Sequence, residues 1–163
     1  MLVLRYLQVL ALAIWVGSMV AIGALMAPTT FQVLQARLPG GEGRTLAGAL
    51  FGEVLRRFNP VAYGCGLIIL LTLFAMKVLG PRPVGFGIRV AIASVMLALS
   101  LYSGIWVSSR IERMQADIGV SVASLPDTDP RKAEFGRLHG LSTTLMMINL
   151  VGGIVLFYWH ARD

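Results

Sequence analysis

The sequence predicts an all-α integral membrane protein that folds as an up-down-up-down four-helix bundle. Of its 163 residues, 56% are hydrophobic and only 13% are charged, and the mean hydropathy is +0.76. A soluble domain typically carries roughly 25% charged residues. The charges also leave four apolar windows, each close to the about 20 residues that a helix needs to cross a hydrocarbon core. We therefore predict one transmembrane domain over residues 1–163, with spans at 6–27, 59–78, 88–110 and 139–160.

The first span lies in a run that has no charged residue between Arg5 and Arg37. This run continues well past the roughly 7 to 15 apolar residues of a signal peptide, so we predict an uncleaved helix. Its small residues share one face, namely Ala13, Gly17, Ala21 and Ala24. Such a face lets another helix approach closely, either inside the bundle or in a homo-oligomer.

Caps and prolines mark the later helices. Asn59-Pro60 predicts an N-cap followed by proline at the first helical position of the second span. Upstream of it, residues 45–58 predict an amphipathic helix, at the membrane surface or as an extension of the bundle. Asp129-Pro130 repeats the cap signal for the last helix.

The third and fourth helices are predicted to project beyond the bilayer. Helical character continues after the third span through residues 110–115, and the last helix begins at Pro130. The extension of the last helix has roughly ten residues, which at about 1.5 Å per residue gives about 15 Å, and we expect both helices to project by about this distance.

We name the two ends of the bundle by their connections. The termini end holds both chain termini and the short loop between spans two and three, and the far end holds the two longer loops. The basic residues of the termini end are Arg5, Lys77, Arg82, Arg89 and Arg162, and the far end has the other nine of 14. This excess predicts a cytoplasmic far end and extracytoplasmic termini, in the inner membrane if the source is bacterial. The net charge of +6 is then interface charge facing membrane lipids, and nucleic-acid binding is discarded.

Two function classes are disfavoured by what the spans lack. No carboxylate, Lys or Arg lies inside the four uncharged windows, which cover residues 6–26, 58–76, 90–109 and 140–159. Ion-coupled transporters normally place an ionisable group near mid-membrane. No HExxH, GxSxG or phosphate-binding glycine loop occurs. The two histidines, His139 and His160, would lie about 30 Å apart on one helix. The sequence therefore predicts a protein that is not an enzyme.

Polar residues of the last helix predict a candidate site. A stripe at steps of three and four contains Phe135, His139, Ser142, Met146, Asn149 and Gly153. In one interpretation His139, Ser142 and Asn149 line a ligand or solute path. In the other they make interhelical hydrogen bonds, worth about 0.6 kcal/mol each.

Further polar residues are expected near the depth of His139 at the far end. They are Arg56, Arg57, Asn59, Arg110 and Glu112. They either converge with His139 on one polar mouth or anchor the helix ends to lipid phosphates. We expect His139 to face the bundle interior and to hydrogen-bond another helix.

Copper or haem binding through His139 is the alternative function. Eight methionines and Cys65 could supply soft ligands. However, no MxxM or MxM pair occurs, and methionine commonly fills apolar cores. A haem would need a second axial ligand beside His139. We therefore predict no cofactor and keep metal or haem as the alternative.

Several short motifs resemble the transmembrane protein 205 family and its uncharacterised bacterial relatives. They are Trp15-Val16-Gly17, residues 27–31, 50–52, 57–60 with Tyr63, 111–113, and above all residues 135–142 with Asn149. The resemblance implies a four-span membrane protein and brings no established reaction. Its animal branch is associated with tolerance of platinum drugs, which implies a possible transport or resistance role. The sequence thus predicts a non-enzymatic membrane protein that binds or passes a small solute, or stabilises a partner, through the far-end mouth.

Overall fold

The computed structural model describes residues 1–38, 41–80, 83–119 and 122–162, and these residues form helices without any strand. Four long helices account for most of them: α1 Leu2–Arg37, α2 Glu42–Leu79, α3 Phe86–Ile118 and α4 Pro130–His160. A short 3-10 turn, Val122–Ser124, lies in the loop between α3 and α4. The predicted all-α architecture is confirmed.

The four helices pack as a closed antiparallel bundle. Each helix packs against the next one in the chain, and α1 also packs against α4. Gly43 at the start of α2 lies against the backbone of Leu34 near the end of α1. The core between the helices contains the fully buried side chains of Trp15, Ile69 and Leu73. The bundle therefore buries one apolar stripe from each helix.

The helices are longer than a bilayer requires. They contain 36, 38, 33 and 31 residues, and all four are long and apolar enough to cross a membrane. At about 1.5 Å per residue, each exceeds the about 30 Å of a hydrocarbon core. α3 continues to Ile118 and α4 begins at Pro130, so the predicted extension of both helices is confirmed. Arg110 and Glu134 join these extensions by an ion pair of 3.2 Å.

The predicted N-cap at Asn59, with Pro60 at the first helical position, is wrong. α2 begins at Glu42 after the N-cap Gly41, whose φ is 89°, and Pro60 lies inside the helix. The amphipathic residues 45–58 are therefore a continuous extension of α2. Proline removes one backbone hydrogen bond, but neighbouring helices hold α2 on both sides of Pro60, and transmembrane helices tolerate such a break.

Two segments of π-helix lie within the long helices. They are Ala21–Met26 in α1 and Tyr102–Val107 in α3. A Cβ atom built on Gly23 in the first segment would lie 3.2 Å from Met146 Cε of α4. Such segments add a residue to the helical turn and are frequent near functional sites.

The predicted cap of the last helix is confirmed. The Asp129 carboxylate accepts a hydrogen bond of 2.9 Å from the backbone N–H of Arg131. The Arg131 guanidinium also binds this carboxylate, and both contacts lower the pKa of Asp129. The cap therefore stays ionised and holds the start of α4.

Candidate functional site

A buried polar cluster lies at the termini end of the bundle. The Arg89 side chain is 1% exposed. Its Nη2 atom donates to Gln8 Oε1 at 3.0 Å and lies 3.2 Å from His160 Nδ1. Gln8 is 3% exposed and His160 is half-buried. We call Gln8, Arg89 and His160 the Arg89 cluster.

The antiparallel topology brings these three residues together. Gln8 lies in the second turn of α1, Arg89 in the first turn of α3, and His160 is the last residue of α4. α1 and α3 both begin at the termini end, where α4 finishes. Residues far apart in the sequence therefore meet at one depth.

Hydrogen-bonding rules fix the roles of the neighbours of Arg89. A guanidinium has donors and no acceptor, so Gln8 Oε1 and His160 Nδ1 must both accept. A hydrogen bond from Arg89 to His160 Nδ1 requires the tautomer that carries its proton on Nε2. A buried charge is costly unless it is hydrogen-bonded. Gln8 and His160 thus hold the Arg89 charge within the bundle.

A small cavity adjoins the Arg89 cluster on the bundle axis. Its volume is about 10 Å³, and residues of all four helices line it. They are Gln8, Leu12, Ile69, Arg89, Leu156 and His160. This volume is close to the space of one water molecule. We call it the axial cavity, a site with apolar walls and three polar side chains.

A known protein family matches about two thirds of the chain, including the segment that contains Arg89. The family described as a domain of unknown function, DUF4149, has a model that matches residues 10–119. The chain belongs to the DUF4149 family. No curated protein and no solved structure matches it significantly. This match does not test the more specific likeness to the transmembrane protein 205 family, which stays a prediction.

The Arg89 cluster of this DUF4149 protein was not predicted from the sequence. Arg89 was counted as an interface charge outside the third window, but it is buried. Its position one turn inside α3 is set by the helix start at Phe86, and a window of uncharged residues cannot show this. Gln8 is the only amide side chain of the first span, and that was a usable signal.

The basic residues predicted for the far-end mouth are exposed. Arg56 and Arg57 both bind Glu53 of their own helix at 2.7 Å. Glu112 of α3 is exposed and interacts electrostatically with Arg56. Arg110 is exposed and pairs with Glu134. At the far end of the DUF4149 bundle, the Arg110–Glu134 ion pair thus joins α3 to α4. Among the described residues, none of these side chains bonds to His139.

The expectation that His139 faces the bundle interior is wrong. Its side chain is exposed, and its ring stacks on Phe135 of the same helix with centroids 6.2 Å apart. The inward face of α4 instead contains Leu138, Leu145, Asn149, Gly153 and Leu156. His139 follows Leu138 directly, so the helical rotation of about 100° per residue turns it outward.

Two other predicted site residues do contact a second helix. Asn149 is 3% exposed, and its Nδ2 donates to Ser100 Oγ of α3 at 3.2 Å. Asn59 is half-buried, and its amide lies close to Gly104 of α3. Ser142 is half-buried. The Asn149–Ser100 hydrogen bond joins α4 to α3, as expected if the polar residues of the last helix make interhelical hydrogen bonds.

The small-residue face of α1 is not used inside the bundle. Ala13, Gly17 and Ala24 are exposed, and Ala21 is half-buried. A Cβ atom built on Gly17 would meet no atom within 4 Å. The alternative that this face packs within the bundle is therefore wrong. A homo-oligomer through it stays a prediction.

We expect Asn149→Leu to be tolerated in this DUF4149 protein. The substitution removes one interhelical hydrogen bond, worth about 0.6 kcal/mol in membrane proteins. It also removes the buried Oδ1 atom of Asn149, which has no hydrogen-bond partner. The unfolding midpoint in detergent should stay within a few degrees of wild type. A variant that no longer assembles would show that Asn149 is essential to the fold.

Proposed function

We propose that this protein is a non-enzymatic membrane protein that binds or passes a small inorganic anion at the axial cavity. One observation carries the proposal: Arg89 is 1% exposed within a membrane bundle and lines a cavity shared by all four helices. Ionisable side chains inside membrane bundles are expensive and usually mark binding sites or solute paths.

The chemistry of the lining favours an anion. The guanidinium of Arg89 keeps its charge at any physiological pH. Because Gln8 Oε1 accepts from Arg89, the group that the Gln8 amide can offer a ligand is its NH₂ donor. A positive charge with apolar walls attracts an anion more strongly than it would in water.

The size of the cavity favours the smallest anions. Its volume of about 10 Å³ suits a water-sized occupant. Leu12, Ile69 and Leu156 form its apolar walls, so a larger solute would require the helices to move apart. Halides are therefore the probes that match this site best.

The far-end mouth and the metal alternative stay predictions. The mouth residues other than Asn59, Ser142 and Asn149 are exposed. Within the described ranges, no three His, Cys, Asp or Glu residues lie close enough together to hold a metal ion. No contact in the structure supports His139 as a ligand, and we do not include it in the proposed site.

The proposal is tested by thermal unfolding of purified protein in a halide-free buffer, with fluoride or chloride added at constant ionic strength. Arg89→Gln removes the lining charge. Lys77→Gln is the matched control, because it removes one exposed charge at the same end that does not line the cavity. Gln8→Leu, which keeps the charge but removes a lining amide, serves if Arg89→Gln does not fold.

Wild type and Lys77→Gln should gain stability with halide, by about 2.7 kcal/mol at a concentration of 100 times Kd. Arg89→Gln should show no gain, and Gln8→Leu a reduced one. An equal gain in Arg89→Gln, or no gain in wild type, would contradict the proposed site.

A further inference from the structure

Two exposed cations at the termini end lie over aromatic rings. Lys77 Nζ of α2 is 5.3 Å from the centroid of the Phe86 ring. Arg162 Cζ, just after α4, is 5.6 Å from the centroids of both Tyr158 and Trp159. Cation–π contacts of this kind hold a charged group in place without neutralising it.

Both cation sites adjoin the turn that precedes α3. A Cβ atom built on Gly85 would lie 2.8 Å from the Trp159 ring, so Trp159 packs directly on this turn. Phe86, whose ring lies below Lys77 Nζ, is the residue after Gly85. We call Lys77, Phe86, Tyr158, Trp159 and Arg162 the basic–aromatic patch.

The charge around the patch is positive. Neither Lys77 nor Arg162 pairs with a carboxylate in the described part of the chain. Every acidic residue that the structure describes belongs to the far end: Glu42, Glu53, Glu112, Asp117, Asp127, Asp129 and Glu134. Asp163, the remaining acid of the sequence, lies outside the described residues.

The surroundings of the patch are apolar and exposed. Val78 is 80% exposed, Leu79 is 73% exposed and Val84 is 51% exposed. Tyr158 is 59% exposed and adjoins Trp159, a pair typical of the headgroup level of a membrane. Such side chains would be costly in water, so this surface lies at the boundary of hydrocarbon and headgroups.

We propose that the basic–aromatic patch binds the phosphate group of an anionic phospholipid. The cations of the patch contact the phosphate, and the acyl chains lie against the exposed apolar side chains of the same end. Two cations favour an anionic over a zwitterionic headgroup, because a zwitterionic lipid brings its own positive charge. This site is separate from the axial cavity, since neither cation lines that cavity.

The test compares full-length protein in nanodiscs of phosphatidylcholine with and without phosphatidylglycerol. The double variant Lys77→Gln/Arg162→Gln removes the two cations. Arg44→Gln/Arg137→Gln is the matched control, because it removes two exposed charges from the far end. Phosphatidylglycerol retained by the protein is counted by native mass spectrometry, and the unfolding midpoint is measured in parallel. A third arm adds inorganic phosphate to phosphatidylcholine nanodiscs.

Wild type and the far-end control should retain phosphatidylglycerol and unfold at a higher temperature in its presence. The patch variant should bind it about thirty-fold more weakly, from roughly five-fold for each basic residue lost at a membrane surface. Equal retention by both double variants would overturn the proposal. A stabilisation by inorganic phosphate as large as that by the lipid would also overturn it, and would assign the patch to free phosphate. Arg89→Gln should retain the lipid, which separates this result from the halide experiment.

Discussion

Gly104→Ala should destabilise the bundle by about 1–3 kcal/mol, the usual cost of forcing an extra group into a packed interior. Gly104 lies in the π-helical segment of α3. A Cβ atom there would overlap the Tyr63 hydroxyl of α2 and lie 2.8 Å from Asn59 Nδ2. To avoid this overlap, the half-buried Tyr63 and Asn59 side chains must move out of the interface, or α2 and α3 must separate. Denaturant unfolding in detergent, followed by circular dichroism, measures the loss.

Two further variants identify the cause. Tyr63→Phe combined with Gly104→Ala removes the overlapping hydroxyl and should recover part of the lost stability. Gly64→Ala is the matched control, because a Cβ on this helical glycine would meet no atom within 4 Å. If Gly104→Ala were as stable as Gly64→Ala, the close approach of α2 and α3 at this glycine would not be essential.

The helices could be predicted from the sequence, but their irregularities could not. Hydropathy places four spans because the cost of moving a segment into hydrocarbon can be estimated from its residue types. The cap at Asp129 is a local signal and was also predictable. The π segments depend on how neighbouring helices meet, as the contacts of Gly23 and Gly104 show. Pro60 was predicted to begin a helix, but it lies inside α2, which neighbouring helices hold on both sides of the proline.

The orientation of His139 was predicted wrongly for a physical reason. The stripe through His139 was drawn from steps of three and four, but the buried residues of α4 begin at Leu138 and differ by one position there. One residue of rotation moves a side chain from the interior to the surface. Arg89 was counted as an interface charge and left out of the candidate site, because charged residues at helix ends usually reach water. In this bundle it instead meets acceptors from α1 and α4, which only the assembled topology supplies.

Arg89→Met should also lower stability, by about 1–3 kcal/mol, because the buried Gln8 Oε1 and the half-buried His160 Nδ1 would lose the donor that they now share. The same loss is expected whether the Arg89 cluster binds a ligand or only joins three helices. Single substitutions therefore do not separate a binding role from a structural one.

The triple variant Gln8→Leu/Arg89→Met/His160→Phe separates these roles. Replacing a buried polar network by apolar residues of similar volume is often neutral or stabilising. We expect the triple variant to unfold at or above the wild-type midpoint in halide-free buffer, and to gain nothing from added halide. That result would mean that the fold does not need the cluster and that its charge serves binding. A triple variant as unstable as Arg89→Met would instead show that Arg89, Gln8 and His160 hold α1, α3 and α4 together.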